Sequence, residues 1–527
     1  MSKRPRGDEA LSRQLTPNAA RRRPPSRTYY GYARSVRPCL ATVRRKLTAR
    51  PHRFSTSAAF VALLAALVFP IAGCGEGSSA GAAGASVAPA ASQVFVSLDT
   101  SFDSANWAEG RVLLEKFPDG NRAIAWFMHE LGGQGVGFEE DVKPALGPET
   151  DLVALDVTGK GKVVGLTQPD DKAKLEALLA KSNEPLVSRE IDGWVAFSDT
   201  EANLDEFESM QKDGTLEGDD AYQKVSGEVA DDGIAQIYVA GSALGSTLLA
   251  SLFGSDAPSL AFSIDPQEDG IHIAGAASPA TDLFPDEFTA ELPGQVPAGA
   301  FVYMGASDLE RQLGTLRDVL AEVSPEIERD IGRAEAEIGV SLDEDVLPLF
   351  SAESAMYIRP GFPIPEATIV TQVDDEQGAL AVIDKLAHEV SEYYGTAELQ
   401  SVDIDGVQAK ELEVNQLVSV FYTAFDGKLV ITTSRQGIAD LKADGDRLAD
   451  DEAFNDATQA AGIPGETTGF LYVDLDQALP TVFGLMGFGG QPTPDGLERN
   501  LEPLQSLVLY GERDGDVAKF SGLLSIQ

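Results

Sequence analysis

Two aspartate pairs are the side chains best placed to do chemistry. They stand in matching contexts, Thr167-Gln168-Pro169-Asp170-Asp171 and Thr371-Gln372-Val373-Asp374-Asp375. Two carboxylates held roughly 5 to 10 Å apart can serve as acid and base in glycoside cleavage. Asp170, Asp171, Asp374 and Asp375, with Gln168 and Gln372 beside them, are therefore the candidate polar site. The same positions have a simpler use. Each pair sits where a strand gives way to a helix, and there an aspartate caps free backbone N–H groups and opposes the positive helix end. With 83 Asp and Glu in 527 residues, neighbouring carboxylates also arise without any catalytic purpose.

Other chemistries are poorly supplied. Past the amino-terminal region only His129, His272 and His388 remain. None has a second histidine or a cysteine at ligand spacing, so no His/Cys metal site is expected. The glycines of residues 132–137 follow a helical pattern rather than a strand and lack a Lys-Ser/Thr partner, which suits a connector better than a phosphate cradle. The acidic loops at Asp444-Gly445-Asp446 and Asp450-Asp451 miss calcium-loop spacing, because Leu448 and Asn455 stand where oxygen ligands are needed. The expectation is no metal, no cofactor, and binding rather than catalysis.

Cys74 has a different chemistry open to it. Residues 58–71 read AAFVALLAALVFPI, too short for a comfortable membrane-spanning helix of about 20 residues but right for the core of an export signal. Arg44, Arg45, Lys46, Arg50 and Arg53 precede this run, and Ile71-Ala72-Gly73-Cys74 follows it. That order resembles the lipobox of bacterial lipoproteins. The resemblance implies a leader, residues 1–73, that is removed, and diacylation of Cys74 as the new amino terminus. The other cysteine, Cys39, lies in the leader, so no disulfide pair would remain. The expected location is the outer face of the cytoplasmic membrane or the cell envelope. Attachment would run through the lipid, or through the apolar run if it is not cleaved.

Charge separates the two parts. Up to Cys74 there are 15 Lys and Arg against 2 Asp and Glu; beyond it 26 face 81, and the whole chain carries −42. Nucleic-acid binding is driven by Lys and Arg replacing counterions, so a DNA or RNA partner is excluded. An acidic body is also repelled by anionic head groups, which leaves attachment to the tether. Residues 74–92, rich in Gly, Ala and Ser, are expected to be a flexible spacer.

Past the spacer the sequence repeats itself. Phe95-Val96-Ser97-Leu98 answers Phe301-Val302-Tyr303-Met304, the element through Asp141-Val142-Lys143-Pro144 answers that through Asp345-Val346-Leu347-Pro348, and Ala221-Tyr222 answers Ala453-Phe454. The offset grows from 204 at the prolines to 234 at Tyr238 and Tyr472, so about one hairpin is added in the second copy. The expected units are residues 93–279 and 296–527, joined by a connector at 280–295. Alternating runs at 94–98, 152–157, 163–167, 194–197, 234–239 and 271–274 predict strands. Residues 171–181 and 376–390 carry one apolar helical face each. In the second unit strand candidates at 402–412, 417–425 and 428–432 contain or adjoin Asp405-Gly406 and Asp426-Gly427, which are hairpin signals. The fold class expected is α+β, each unit a mainly antiparallel sheet with packed helices.

The run VFVSLDTSFDSANWAEGRVLLEKFP, followed by Asp141-Val142-Lys143-Pro144-Ala145-Leu146-Gly147, resembles the bacterial secreted family catalogued as domain of unknown function 3352. The second unit departs from that pattern, with Ser351 in place of Gly147. The resemblance implies an exported or membrane-attached protein and assigns no catalytic residue. Two roles follow for the folded part: a surface that binds a partner protein, or a carrier of an apolar ligand, with residues 482–490 as a candidate lid. A carboxylate-based hydrolase is the third.

Overall fold

The computed structural model describes residues 82–122, 125, 137–158, 161–181, 186–230, 233–244, 257–281, 284–362, 364–394, 398–415, 418–488, 493 and 496–527. The leader, Cys74 with Ile71, Ala72 and Gly73, His129 and the glycines 132–136 lie outside them. The described residues belong to one compact unit, Ser55–Gln527.

In the amino-terminal half the strands are β1 (Val94–Asp99), β2 (Glu149–Asp156), β3 (Lys162–Thr167), β4 (Val187–Ile191), β5 (Trp194–Ser198), β6 (Ala235–Val239), β7 (Ser259–Gln267) and β8 (Gly270–Ser278). The helices used below are α1 (Asn106–Glu115), α2 (Lys172–Lys181), α3 (Glu201–Gln211) and α4 (Asp220–Ser226). Every pairing is antiparallel, and the spatial order is β4-β5-β3-β2-β1-β6-β7-β8. Alternation decides which face is buried. Phe95, Ser97 and Asp99 are buried along β1 while Val94, Val96 and Leu98 are only half-buried.

The carboxy-terminal half contributes β9 (Val302–Ala306), β10 (Ser354–Arg359), β11 (Glu366–Gln372), β12 (Glu398–Ile404), β13 (Val407–Asn415), β14 (Val418–Phe425), β15 (Lys428–Thr432), β16 (Gly469–Asp474), β17 (Leu504–Asp514) and β18 (Val517–Ile526). Its helices are α5 (Leu309–Val323), α6 (Pro325–Ile338), α7 (Glu376–Tyr394), α8 (Arg435–Lys442), α9 (Glu452–Ala461) and α10 (Leu475–Phe488). The order is β12-β13-β14-β15-β11-β10-β9-β16-β17-β18. With β12 and β13 set aside, this is the strand order of the first half. Asp405-Gly406 and Asp426-Gly427 both turn with positive φ at each residue, as two-residue hairpins of the primed type require. The candidate strand at residues 402–412 is thus two strands, divided at Asp405-Gly406.

The halves do not carry separate sheets. β8 pairs with β18 from Ala277–Ala518 to Gly270–Ser525, making one antiparallel sheet of 18 strands among the described residues. The protein is a mixed helix and strand fold dominated by this sheet. One face carries both main cores. The first is built on Phe95, Val153, Trp194, Phe207, Tyr222 and Tyr238, the second on Tyr303, Tyr357, Phe454, Phe470, Tyr472 and Val508. The aromatic contacts recur. Tyr222 of α4 meets Phe95 and Tyr238 edge-on at 6.1 and 5.1 Å; Phe454 of α9 meets Tyr303 and Tyr472 edge-on at 6.3 and 5.1 Å. The opposite face takes α1 near Ile271 and Leu524, α2 against Val195 and Phe197, and α7 against Tyr422 and Ile431.

Two expected boundaries move. The spacer was expected to reach residue 92, yet Ala83–Ser86 forms a 3-10 turn, Ala85, Val87 and Ala88 are buried, and Pro89 bridges Thr215. The connector was expected to run to residue 295, yet Leu292 and Val296 are fully buried and Pro297 bridges Arg447. Each segment is a strap laid across its half. Ala88 and Val296 carbonyls accept from Leu216 and Leu448 N–H, both at 2.9 Å. Small residues hide the straps in the sequence: alanine and glycine read as linker but pack closely where room is short.

Candidate functional site

The carboxylate pairs are placed by the strand-to-helix turns that the sequence suggested. Asp171 Oδ1 accepts from Ala173 and Lys174 N–H at 3.0 and 3.3 Å; Asp375 Oδ1 accepts from Gln377 and Gly378 N–H at 3.1 and 2.9 Å. Both residues therefore cap α2 and α7. Asp170 and Asp374 precede them, exposed. The surroundings of the two pairs differ.

Around Gln372, Asp374 and Asp375 lies a cavity of about 720 Å³. The turn from β11 into α7 forms one wall. A π-helical turn, Leu342–Val346, supplies Glu344 and Asp345, the β14–β15 hairpin supplies Asp426 and Lys428, and the second strap supplies Gln295. The π turn exists because Asp345 Oδ2 accepts from Ser341 N–H at 2.8 Å and Ser341 Oγ accepts from Glu344 N–H at 3.2 Å. The matching turn in the first half, Phe138–Val142, is closed in the same way, Asp141 Oδ2 accepting from Gly137 N–H at 2.9 Å.

Charge in this cavity is one-sided. Glu344, Asp345, Asp374, Asp375 and Asp426 surround a single amine, Lys428. That amine is engaged: Lys428 Nζ donates to Gln295 Oε1 at 2.9 Å and to the Asp426 carbonyl at 3.1 Å. Asp426 pairs with Lys442 at 3.0 Å. Among the described residues the carboxylates of Glu344 and Asp374 have no hydrogen-bond or ion-pair partner. Chemically the cavity offers acceptors and negative charge with little to oppose them, a setting for a cationic ligand.

Gln168, Asp170 and Asp171 are not among the residues lining this cavity. They occupy the equivalent turn in the other half, and all three are exposed. The sequence reading thus found three of the lining residues and missed Glu344, Asp345, Gln295, Asp426 and Lys428. The signals were present but read as structure, Glu344 and Asp345 inside the repeated element and Asp426 as half of a hairpin turn.

Below each strap a glutamate acts as a clamp. Glu149 Oε1 accepts from Gly84 N–H at 3.0 Å; Glu353 Oε1 accepts from Leu292 N–H at 2.9 Å and both its oxygens accept from Glu291 N–H. Burial pushes the Glu353 carboxyl above the usual carboxylate range, and the two backbone donors only partly offset that. Of the remaining candidates, His272 is half-buried and His388 exposed. His272 contacts Asp269 at 2.9 Å and His388 contacts Glu392 at 3.5 Å. The segment singled out as a lid begins inside α10, where Val482 and Leu485 are exposed; residues 489 and 490 lie outside the described set.

No family model matches the chain, and no curated protein matches it. Among solved structures, one described as crystal form IV of TP0453 aligns over 43% of this chain and 76% of its own, at 12% identity and a TM-score of 0.23. At that score the likeness carries no argument about fold or role.

Proposed function

We propose that this chain is an exported, lipid-anchored protein of the bacterial cell envelope that works by binding. Its body is two copies of one unit, and the cleft on the second copy takes a positively charged segment of a partner protein. The observation that carries the reading is the cavity of about 720 Å³ with five carboxylates and one engaged lysine. Duplication is supported by the repeated strand order, the paired straps with their glutamate clamps, and the aromatic contacts of Tyr222 and Phe454. Anchoring is supported by the sequence alone, through Ile71-Ala72-Gly73-Cys74 and the apolar run before it. The resemblance to the secreted family of unknown function is carried by residues 94–118 and 141–147 alone.

The test of the cleft is a titration of the full chain with a fluorescent oligolysine peptide. Glu344→Gln with Asp374→Asn should weaken binding at least tenfold, and binding should fall steeply between low and physiological salt, since exposed charge pairs are screened. Equal affinity for the double variant and the parent sinks the reading. For the anchor, radiolabelled palmitate fed to producing cells should label the parent and leave Cys74→Ser unlabelled; label on both would refute acylation at this cysteine.

A second reading, carriage of an apolar ligand, is favoured by the sheet face opposite the tyrosine core. There Leu471, Met304, Met356 and Ile369 stand in one cross-strand row on β16, β9, β10 and β11, with Met304 and Ile369 44% and 38% exposed. Native mass spectrometry of protein from its own kind of host separates the two readings. A stoichiometric lipid adduct moves the carrier ahead, and a bare mass leaves the cationic partner in front.

A further inference from the structure

The two halves place different residues at one matched position in the core. In the first half Ser97 of β1 stands directly between Asp151 of β2 and Gln236 of β6 on the buried face. The strand pairing shifts the match expected from the sequence by two residues: Phe95, which pairs with Tyr238, corresponds to Tyr303, which pairs with Tyr472, rather than to Phe301, so the row equivalent to Ser97 is Gly305 between Ala355 and Phe470. There Tyr303 lies over Gly305, Phe470 stacks on Tyr303 at 5.1 Å, and the space is filled by rings. The first half has oxygens instead. Ser97 Oγ, both Asp151 carboxylate oxygens and Gln236 Oε1 are buried without a well-formed hydrogen bond among the described residues, although Ser97 and Glu149 lie within hydrogen-bonding reach of Asp151. Ser97, Asp151 and Gln236 are 2%, 0% and 8% exposed.

Three buried acceptor oxygens served at best by one serine hydroxyl are costly, since each forfeits its water. Strands lie about 4.8 Å apart, so side chains flanking a short serine can converge above it. Glu149, two residues along β2 and also buried, adds a second carboxylate; one of its oxygens holds the strap through Gly84 N–H. The third acid in the neighbourhood, Asp99, is already satisfied by Ser101 N–H and Ser104 Oγ. The neighbourhood therefore has two carboxylates, a hydroxyl and an amide oxygen, with no soft ligand. Oxygen-only sets of this kind suit a hard cation. Among the described residues no group of three or more His, Cys, Asp and Glu is arranged to hold a metal; here half of the donor set is neutral.

We infer that Ser97, Asp151 and Gln236, with Glu149 beside them, form a calcium-class cation site under the first strap, and that the second half has replaced this site with an aromatic plug. The strap closes it. A Cβ added at Gly84 would meet Asp151 Oδ2 at 1.7 Å, so the backbone at Gly84 rests directly on the carboxylate. A bound cation would neutralise the carboxylates beneath the strap and so tie the strap to the sheet.

The experiment uses the full chain, stripped with EDTA, re-equilibrated with calcium chloride, desalted in 150 mM sodium chloride, and assayed for retained calcium and for Tm. The parent should retain one calcium per chain and melt higher than its stripped form. Asp151→Asn should lose the retained ion and the calcium-dependent rise in Tm. Ser97→Gly with Asp151→Ala and Gln236→Phe, which installs the second half's residues, should fold, bind none, and melt at one temperature with or without calcium. Glu176→Gln, an exposed acid of α2 that belongs to neither this site nor the cleft, should behave as the parent. Retention of no calcium by the parent, with equal Tm in calcium and EDTA, overturns the inference. So does an Asp151→Asn protein that responds to calcium as the parent does.

Discussion

Glu353 carries more consequence than its neighbours suggest. It is buried, yet it supplies acceptors to two strap N–H groups. Its folded pKa is raised above the ordinary 4.5, chiefly by burial. The folded chain therefore holds a proton that the unfolded chain has released, in the window that opens above pH 4.5 and closes at the folded value. Stability falls as pH rises through that window. Glu353→Gln keeps an acceptor and removes the titration, so urea midpoints measured across this range should lose part of their decline with pH. Glu353→Ala should instead lower stability by about 1–3 kcal/mol at every pH, because buried N–H groups lose their partner. If the Gln variant keeps the parent's slope, the proton is not on this carboxyl.

At the same scale, the sequence exposed the capping aspartates well, because an Asp before a helix is a local signal. It did not expose Asp151. Residues 149–156 look like any strand with two acids at its start, and only the pairing with β1 and β6 puts Asp151 beside Ser97 and Gln236.

Among elements, the two π turns match each other in the bond that closes them. Each is closed by an aspartate reaching back four residues, Asp141 to Gly137 and Asp345 to Ser341. Asp345→Ala should loosen the wall that presents Glu344, lowering oligolysine affinity severalfold while costing about 1 kcal/mol of stability, the usual worth of a cap. Peptide titration and urea melts on one preparation check both. The β12–β13 hairpin was legible because its Asp405-Gly406 turn is a local signature. Strands such as β4, with Arg189 and Glu190, escaped notice because edge strands need no apolar alternation. The straps escaped for the opposite reason: their partners lie far away in sequence, so composition alone described them as spacer and connector.

For the whole molecule the decisive contact is the seam between β8 and β18. Gly275 faces Phe520 across it, a Cβ there would meet the Phe520 ring at 1.8 Å, and Phe262 packs on the same ring at 5.3 Å. Gly275→Val should therefore cost about 1–3 kcal/mol through overpacking. Calorimetry should change from one transition toward two as the halves uncouple; a single transition with unaltered Tm would show that the ring moves aside freely. Nothing local in the sequence points to this pairing, which joins a strand ending near residue 278 to one that starts at 517. Each half could be recognised as a fold of its own, but their union depends on two long hairpins meeting edge to edge.

The straps also determine how the body responds to mechanical load. A pull applied at Ala82, where the described residues start, passes along residues 82–92 before it meets β1. The Gly84–Glu149 bond, the Ala88 carbonyl held by Leu216 and the Pro89–Thr215 bridge lie in its path. Tension is therefore shared among several crosswise bonds, and the sheet is shielded until the strap peels. Peeling would also bare the buried carboxylates of Glu149 and Asp151, so stretching the chain end and uncovering the interior become a single event.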